Sequence, residues 1–176
     1  MDEIEKLFLE YKQRVFNFAL RILCNRADAE DVTGEVFLML YTKTAAYEPD
    51  AKFSTWLFTV VRNTAISKLR KRKKFFPFFE TGQTEGKSEM PEIPDPKELP
   101  DRQAQKQEAA LLVQRAIQKL PLGQREAIVL REYHEMSYEE ISQVLKCSLE
   151  NVKILIFRAR ERLRKELAPI FKEVRS

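Results

Sequence analysis

The chain has 176 residues, enough for one sizeable domain or two small ones, and a modest net charge of +4. Its four glycines and eight prolines, with apolar residues in helical periods almost throughout, argue for an all-α fold and against a sheet. One histidine, two remote cysteines (Cys24 and Cys147) and no spaced carboxylate cluster leave no plausible nucleophile or metal site, so no catalytic residue, metal or cofactor is expected.

The N-terminus, MDEIEKLFLEYKQRVF, has neither the basic start nor the unbroken apolar core of a signal peptide. No window reaches the apolar length of a membrane span, so no membrane insertion is expected. The cysteines read as reduced packing residues of a cytoplasmic protein.

Ile4, Leu7, Phe8, Tyr11, Val15, Phe18, Ala19 and Ile22 recur at threes and fours and predict one long helix over 4–23. A second helix begins near Ala27, with Asp28, Glu30 and Asp31 in its first turns, where negative charge suits the helix dipole. Its apolar face is Val32, Val36, Phe37, Leu40 and Tyr41, and the run Tyr47-Glu48-Pro49-Asp50 breaks the pattern as a turn. A third helix is predicted from Ser54 or Thr55 through Leu57, Val60, Val61, Ala65 and Leu69 into the basic run Lys68–Lys74. Trp56 tempts as a stacking residue, but its place among Phe53, Leu57 and Val60 assigns it to the core.

Residues 1–74 thus form a first domain, and 75–100 read as a flexible linker bearing Pro77, Pro91, Pro94, Pro96 and Pro100. Phe75, Phe76, Phe78 and Phe79 would be an adhesive patch on an exposed tether. They either fold back on the first domain, the reading preferred here, or dock on a partner.

The second domain, 101–176, starts with a helix over about 101–119 that Pro121 ends, followed by a helix over 124–134. Ile141, Val144 and Leu145 fall on one face of the next short helix, and Val152, Ile156, Ala159 and Leu163 line one face of the last. Ser137 with Glu140 forms a capping-box pattern, and Ser148 repeats the cap after the tight break Lys146-Cys147-Ser148. This is the layout of a helix-turn-helix whose second helix enters a DNA major groove. Two basic patches, Lys68–Lys74 and Arg158–Lys165, suggest two contacts with a polyanion, although either one alone is as readily a solvated face.

In their joint order and spacing these segments resemble the extracytoplasmic-function (ECF) group of bacterial sigma factors. DAEDVTGEVFLMLY (28–41) resembles the family's polymerase-binding segment, and FSTWLFTVVRNTAISKLRKRKK (53–74) the segment that reads and opens the promoter's minus-ten element. LPLGQREAIVLREY, MSYEEISQVLKCS and NVKILIFRARERL resemble its minus-thirty-five reader. The resemblance implies two small helical domains joined by a flexible linker, with the helix-turn-helix in the second. It implies a promoter-specificity subunit that binds core RNA polymerase, aligns it on promoter DNA, helps melt the duplex and is restrained by an anti-sigma factor. The free protein is expected to be a monomer.

By the same resemblance Asp28, Asp31, Glu35 and Leu38 bind polymerase, while Tyr47, Lys52, Asn63, Lys68 and Arg70 serve the minus-ten element. Ser137, Tyr138, Asn151, Lys153, Phe157 and Arg158 serve the minus-thirty-five element. For Asp28, stabilisation of its own helix N-terminus is an equal alternative. Arg160, Arg162 and Arg164 are as readily a solvated face. The chain departs from the family pattern at Ile154 and Leu155, where Ser and Arg are frequent, and at Gly34, where Gln is frequent. It departs again at Lys146, where a turn glycine is common.

Two rival readings compete with this one. An autonomous regulator would bind a two-fold operator tightly without polymerase, yet it has no need of the second basic patch. An enzyme acting on nucleic acid lacks reactive groups, and His134, at a helix end, is expected to cap or to face solvent.

Overall fold

The computed structural model describes residues 3–42, 47, 51–75 and 101–174, the side chains at positions 101, 171, 173 and 174 excepted. The linker's residues 76–100, with most of the phenylalanine cluster and of the turn after Tyr41, lie outside them.

Seven helices account for the described secondary structure: α1 (Glu3–Leu23), α2 (Arg26–Tyr41), α3 (Phe53–Phe75), α4 (Asp101–Gln118), α5 (Leu122–Glu132), α6 (Tyr138–Leu145) and α7 (Leu149–Val174). The sequence-predicted ends fall within a few residues of these. The Asn25 side chain caps α2 by accepting from the Asp28 amide at 2.9 Å. The pattern had placed acidic residues there but no cap. Pro121 turns the chain from α4 into α5, and the α5 helix starts two residues earlier than the periodicity indicated, at Leu122.

The capping box at Ser137 is complete: its hydroxyl accepts from the Glu140 amide, and the Glu140 carboxylate accepts from the Ser137 amide at 2.8 Å. Those bonds hold the Glu140 carboxyl below its usual pKa, the Ser137 amide contributing most. Lys146 closes α6 in the left-handed conformation, φ 52° and ψ 47°, which non-glycine residues adopt only at a cost. Ser148 then caps α7, accepting from the Asn151 amide.

α1, α2 and α3 pack as the first domain around Val15, Phe18, Ala19, Val32, Val36, Leu57, Phe58 and Val61. α4–α7 enclose Ile117, Leu120, Ile128, Leu130, Ile141, Val144, Val152 and Ile156 as the second. The buried residues of both form one continuous apolar cluster. The reason lies in α1, where Phe18, Ala19, Leu20, Ile22 and Leu23 are all buried. That is more than one amphipathic stripe requires. The helix serves its own domain on one side and packs against α5 on another, while α3 packs against α6.

His134 plugs this junction, and here the sequence expectation fails. The residue is buried rather than exposed, with its ring against Phe18 and Phe58 at centroid distances of 5.7 and 4.6 Å. Neither ring nitrogen has a hydrogen-bond partner among the described residues. Burial, aided by the charges of Arg14 and Arg21, lowers its pKa from 6.5 to about 3, so the ring is neutral.

Arg62 of α3 forms a forked pair with Glu126 of α5, at 2.9 and 3.4 Å, and only 3% of the glutamate side chain is exposed. Desolvation pushes the Glu126 carboxyl up in spite of the guanidinium beside it. Arg125 bridges in the opposite direction, donating to the carbonyls of Ile22, Gln118 and Leu120 at the ends of α1 and α4. Arg21 stacks on the Tyr133 ring at 3.9 Å.

Candidate nucleic-acid interface

On α2 the acidic residues three and four apart share a face, but they are not equivalent. Asp28 is 17% exposed and pairs with Arg72 at 3.0 Å, with Lys68 at 4.0 Å. It therefore ties α2 to the basic end of α3, a role that spacing alone did not disclose. Asp31 is exposed and takes Lys68 at 2.9 Å. Glu35 and Leu38 are also exposed, and Leu38 and Tyr41 extend the acidic stripe with apolar surface. The stripe offers charge for steering and apolar area for adhesion, which is how a docking surface is built.

The residues assigned to the minus-ten element divide. Asn63 and Arg70 are exposed on α3 and, two turns apart, lie on one side of it. Lys68 points instead at Asp28 and Asp31. Lys52, just before α3, makes a 3.0 Å ion pair with Glu140, so it reaches across to the capping box of the other domain. Tyr47 donates its hydroxyl to the Ala51 carbonyl at 2.7 Å and packs edge-on to Phe53 and Trp56. Trp56 is partly buried against the core, as its neighbours implied, yet one edge supports the exposed Tyr47. An aromatic platform beside a helix carrying exposed Asn and Arg side chains is chemically suited to unstacked bases.

In the helix-turn-helix, Val152, Ile156 and Ala159 are sealed against the core and fix the rotation of α7. Asn151, Lys153, Ile154, Phe157 and Arg158 are consequently all exposed. Arg160 pairs with Glu132 of α5 at 2.8 Å, and Arg164 pairs with Glu161 one turn back along α7 itself. Ser137 is occupied in its own cap, and Tyr138 packs partly on the core beneath the Arg131 guanidinium. Among the described residues no group of His, Cys, Asp and Glu could hold a metal ion, and no helix is long and apolar enough to cross a membrane.

Two family models match the chain in order: Sigma-70 region 2 over residues 7–75 and Sigma-70, region 4 over residues 110–163. The first covers α1–α3 and the second the helix-turn-helix with its supports. The chain is 34% identical to the ECF RNA polymerase sigma factor SigW of Bacillus subtilis (strain 168), over 89% of this chain and 84% of that protein. It is 32% identical to the RNA polymerase sigma-H factor of Pseudomonas aeruginosa, over 95% and 87%. In fold it resembles the sigma factor RpoE of Bartonella quintana, solved in complex with the anti-sigma factor NepR, with a TM-score of 0.75 and 24% identity over 96% of this chain and 98% of that one.

Both halves are therefore sigma-70 domains. The chain belongs to the ECF sigma factors of the sigma-70 family. Members are promoter-specificity subunits of RNA polymerase and perform no bond chemistry themselves.

Proposed function

We propose that the first domain, 1–74, docks on core RNA polymerase through Asp31, Glu35 and Leu38, with Asp28 holding the α2–α3 angle behind them. Asn63 and Arg70, with the Tyr47 platform, then engage the minus-ten element, and Lys52 and Lys68 join them once released from Glu140 and from Asp31. The second domain, 101–176, lays α7 in the major groove of the minus-thirty-five element, with Asn151, Lys153, Phe157 and Arg158 toward the DNA and Ser137 and Tyr138 near its backbone. The chain works in the cytoplasm as a monomer when free. An anti-sigma factor that covers the exposed apolar residues of α2 and α7 restrains it, as the complex of its structural relative suggests.

The observation that carries this reading is the outward face of α7. A capped helix whose inner seam is buried exposes the side chains of Asn151, Lys153 and Arg158 on its outer face, inside the matched region 4. The free chain holds α3 against α6. Elements centred about 25 base pairs apart are separated by about 85 Å along the duplex, so the domains must part on the promoter.

Run-off transcription with purified bacterial core polymerase on a genomic promoter library tests the proposal. Discrete starts should appear only when the chain is added and vanish with Asp31→Arg or Glu35→Arg. Absence of new starts, with tight salt-resistant binding of a DNA site by the chain alone, would overturn it in favour of an autonomous regulator.

A further inference from the structure

The outward crest of α7 is not polar. Val152 and Ile156 are buried to within 1% and lie two residues either side of Ile154, so Ile154 points away from the core at the middle of the exposed face. It is 45% exposed, and Phe157, one turn further on, is 66% exposed. Single exposed apolar residues are ordinary. Two at one-turn spacing, rimmed by Asn151, Lys153 and Arg158, make a small apolar surface inside a cationic frame.

We infer that Ile154 and Phe157 form an apolar reading pair that selects two neighbouring thymines of the upstream promoter element by their 5-methyl groups. The inference rests on the reading of α7 as the minus-thirty-five helix and names part of what that helix selects. The rim determines the occupant. Lys153 and Arg158 draw a phosphate backbone onto the helix, and an acidic polymer with methyl groups exposed in a groove of helix width is DNA carrying thymine.

Ile154 can neither donate nor accept a hydrogen bond. A cytosine amino group or a purine N7 beneath it would lose its water without replacement, whereas a thymine methyl gains burial. The spacing agrees. Three residues of α-helix rise about 4.5 Å and one base step about 3.4 Å, so the two side chains cover adjacent or nearly adjacent bases. A serine in place of Ile154 would offer a hydroxyl to either kind of edge. The isoleucine therefore narrows the choice.

The test uses a promoter recovered by run-off transcription. Each thymine of its upstream element is replaced in synthetic duplex by deoxyuridine, which removes the methyl and nothing else. Affinity is read for polymerase loaded with the full chain. Two neighbouring positions should each lose about fourfold per methyl, the rest little. Ile154→Ser, a change on an exposed face that leaves the seam intact, should abolish the loss at one of the two positions and keep it at the other.

Uniform tolerance of deoxyuridine by a loaded polymerase that still selects its promoter would overturn the apolar pair and leave the reading of α7 standing. A loaded polymerase that shows no promoter selection at all would overturn both. If Ile154→Ser leaves the deoxyuridine profile unchanged but weakens capture by an anti-sigma helix, the surface belongs to a protein partner and the inference fails.

Discussion

His134 shows how a single residue couples this fold to pH. Its pKa falls from 6.5 to about 3 because its ring is buried between Phe18 and Phe58 with Arg14 and Arg21 nearby. As pH drops below about 6.5 the unfolded chain takes up a proton that the folded chain refuses, so stability falls from there toward pH 3. The slope from this group approaches about 1.4 kcal/mol per pH unit. Glu126 faces the same junction with a raised pKa and opposes the trend, since the folded state there binds its proton more readily. Comparing the wild type with His134→Leu isolates the imidazole. Urea unfolding from pH 7 to pH 5 should show a shallower loss in the variant. At pH 7 it should be at least as stable, because two unpartnered buried nitrogens are gone. Equal slopes in the two proteins would mean that the ring is hydrated and exposed in solution.

Among the elements, those set by local patterns were legible in the sequence and those set by partners distant in the chain were not. The α6 cap needed only Ser137 and Glu140 three residues apart, and the α7 seam only the spacing from Val152 to Leu163. The role of Asp28 depends on Arg72, and Lys52 finds its partner in Glu140, pairs far apart in sequence that no window contains. Leu20 and His134 were missed for the same reason, because each is buried at or beside a surface that exists only once the domains meet. The break between α6 and α7 also carries a local conflict. Lys146 holds φ 52° without the freedom of glycine. Lys146→Gly should relieve it and raise stability by about 1 kcal/mol in denaturant unfolding. DNA binding by the loaded polymerase should be unchanged, since the lysine lies outside the reading face. A loss of stability would show that its side chain contributes more than its backbone costs.

For the whole molecule, the junction between domains is well made for holding and poorly made for staying shut. Its apolar part runs through the α1–α5 and α3–α6 contacts, and its polar part hangs on Arg62–Glu126, Lys52–Glu140 and the Arg125 bridge. Lys52 is exposed, so its pair contributes little. Arg62–Glu126 differs, because removal of the arginine strands a carboxylate of which only 3% is exposed, at a cost of about 3–5 kcal/mol. That cost can be met by unfolding the second domain or by parting the two domains so that water reaches Glu126. Parting is the cheaper route, since each domain keeps its own core, α1–α3 around Phe58 and α4–α7 around Leu130. Arg62→Ala should therefore expand the free chain in small-angle X-ray scattering while far-ultraviolet helicity stays at the wild-type level. Polymerase loaded with this variant should also bind promoter DNA more tightly, because the separation that the promoter demands no longer draws on binding energy. A variant that stays compact but loses global stability would show that the junction is part of one folding unit, and that polymerase must break it at full cost.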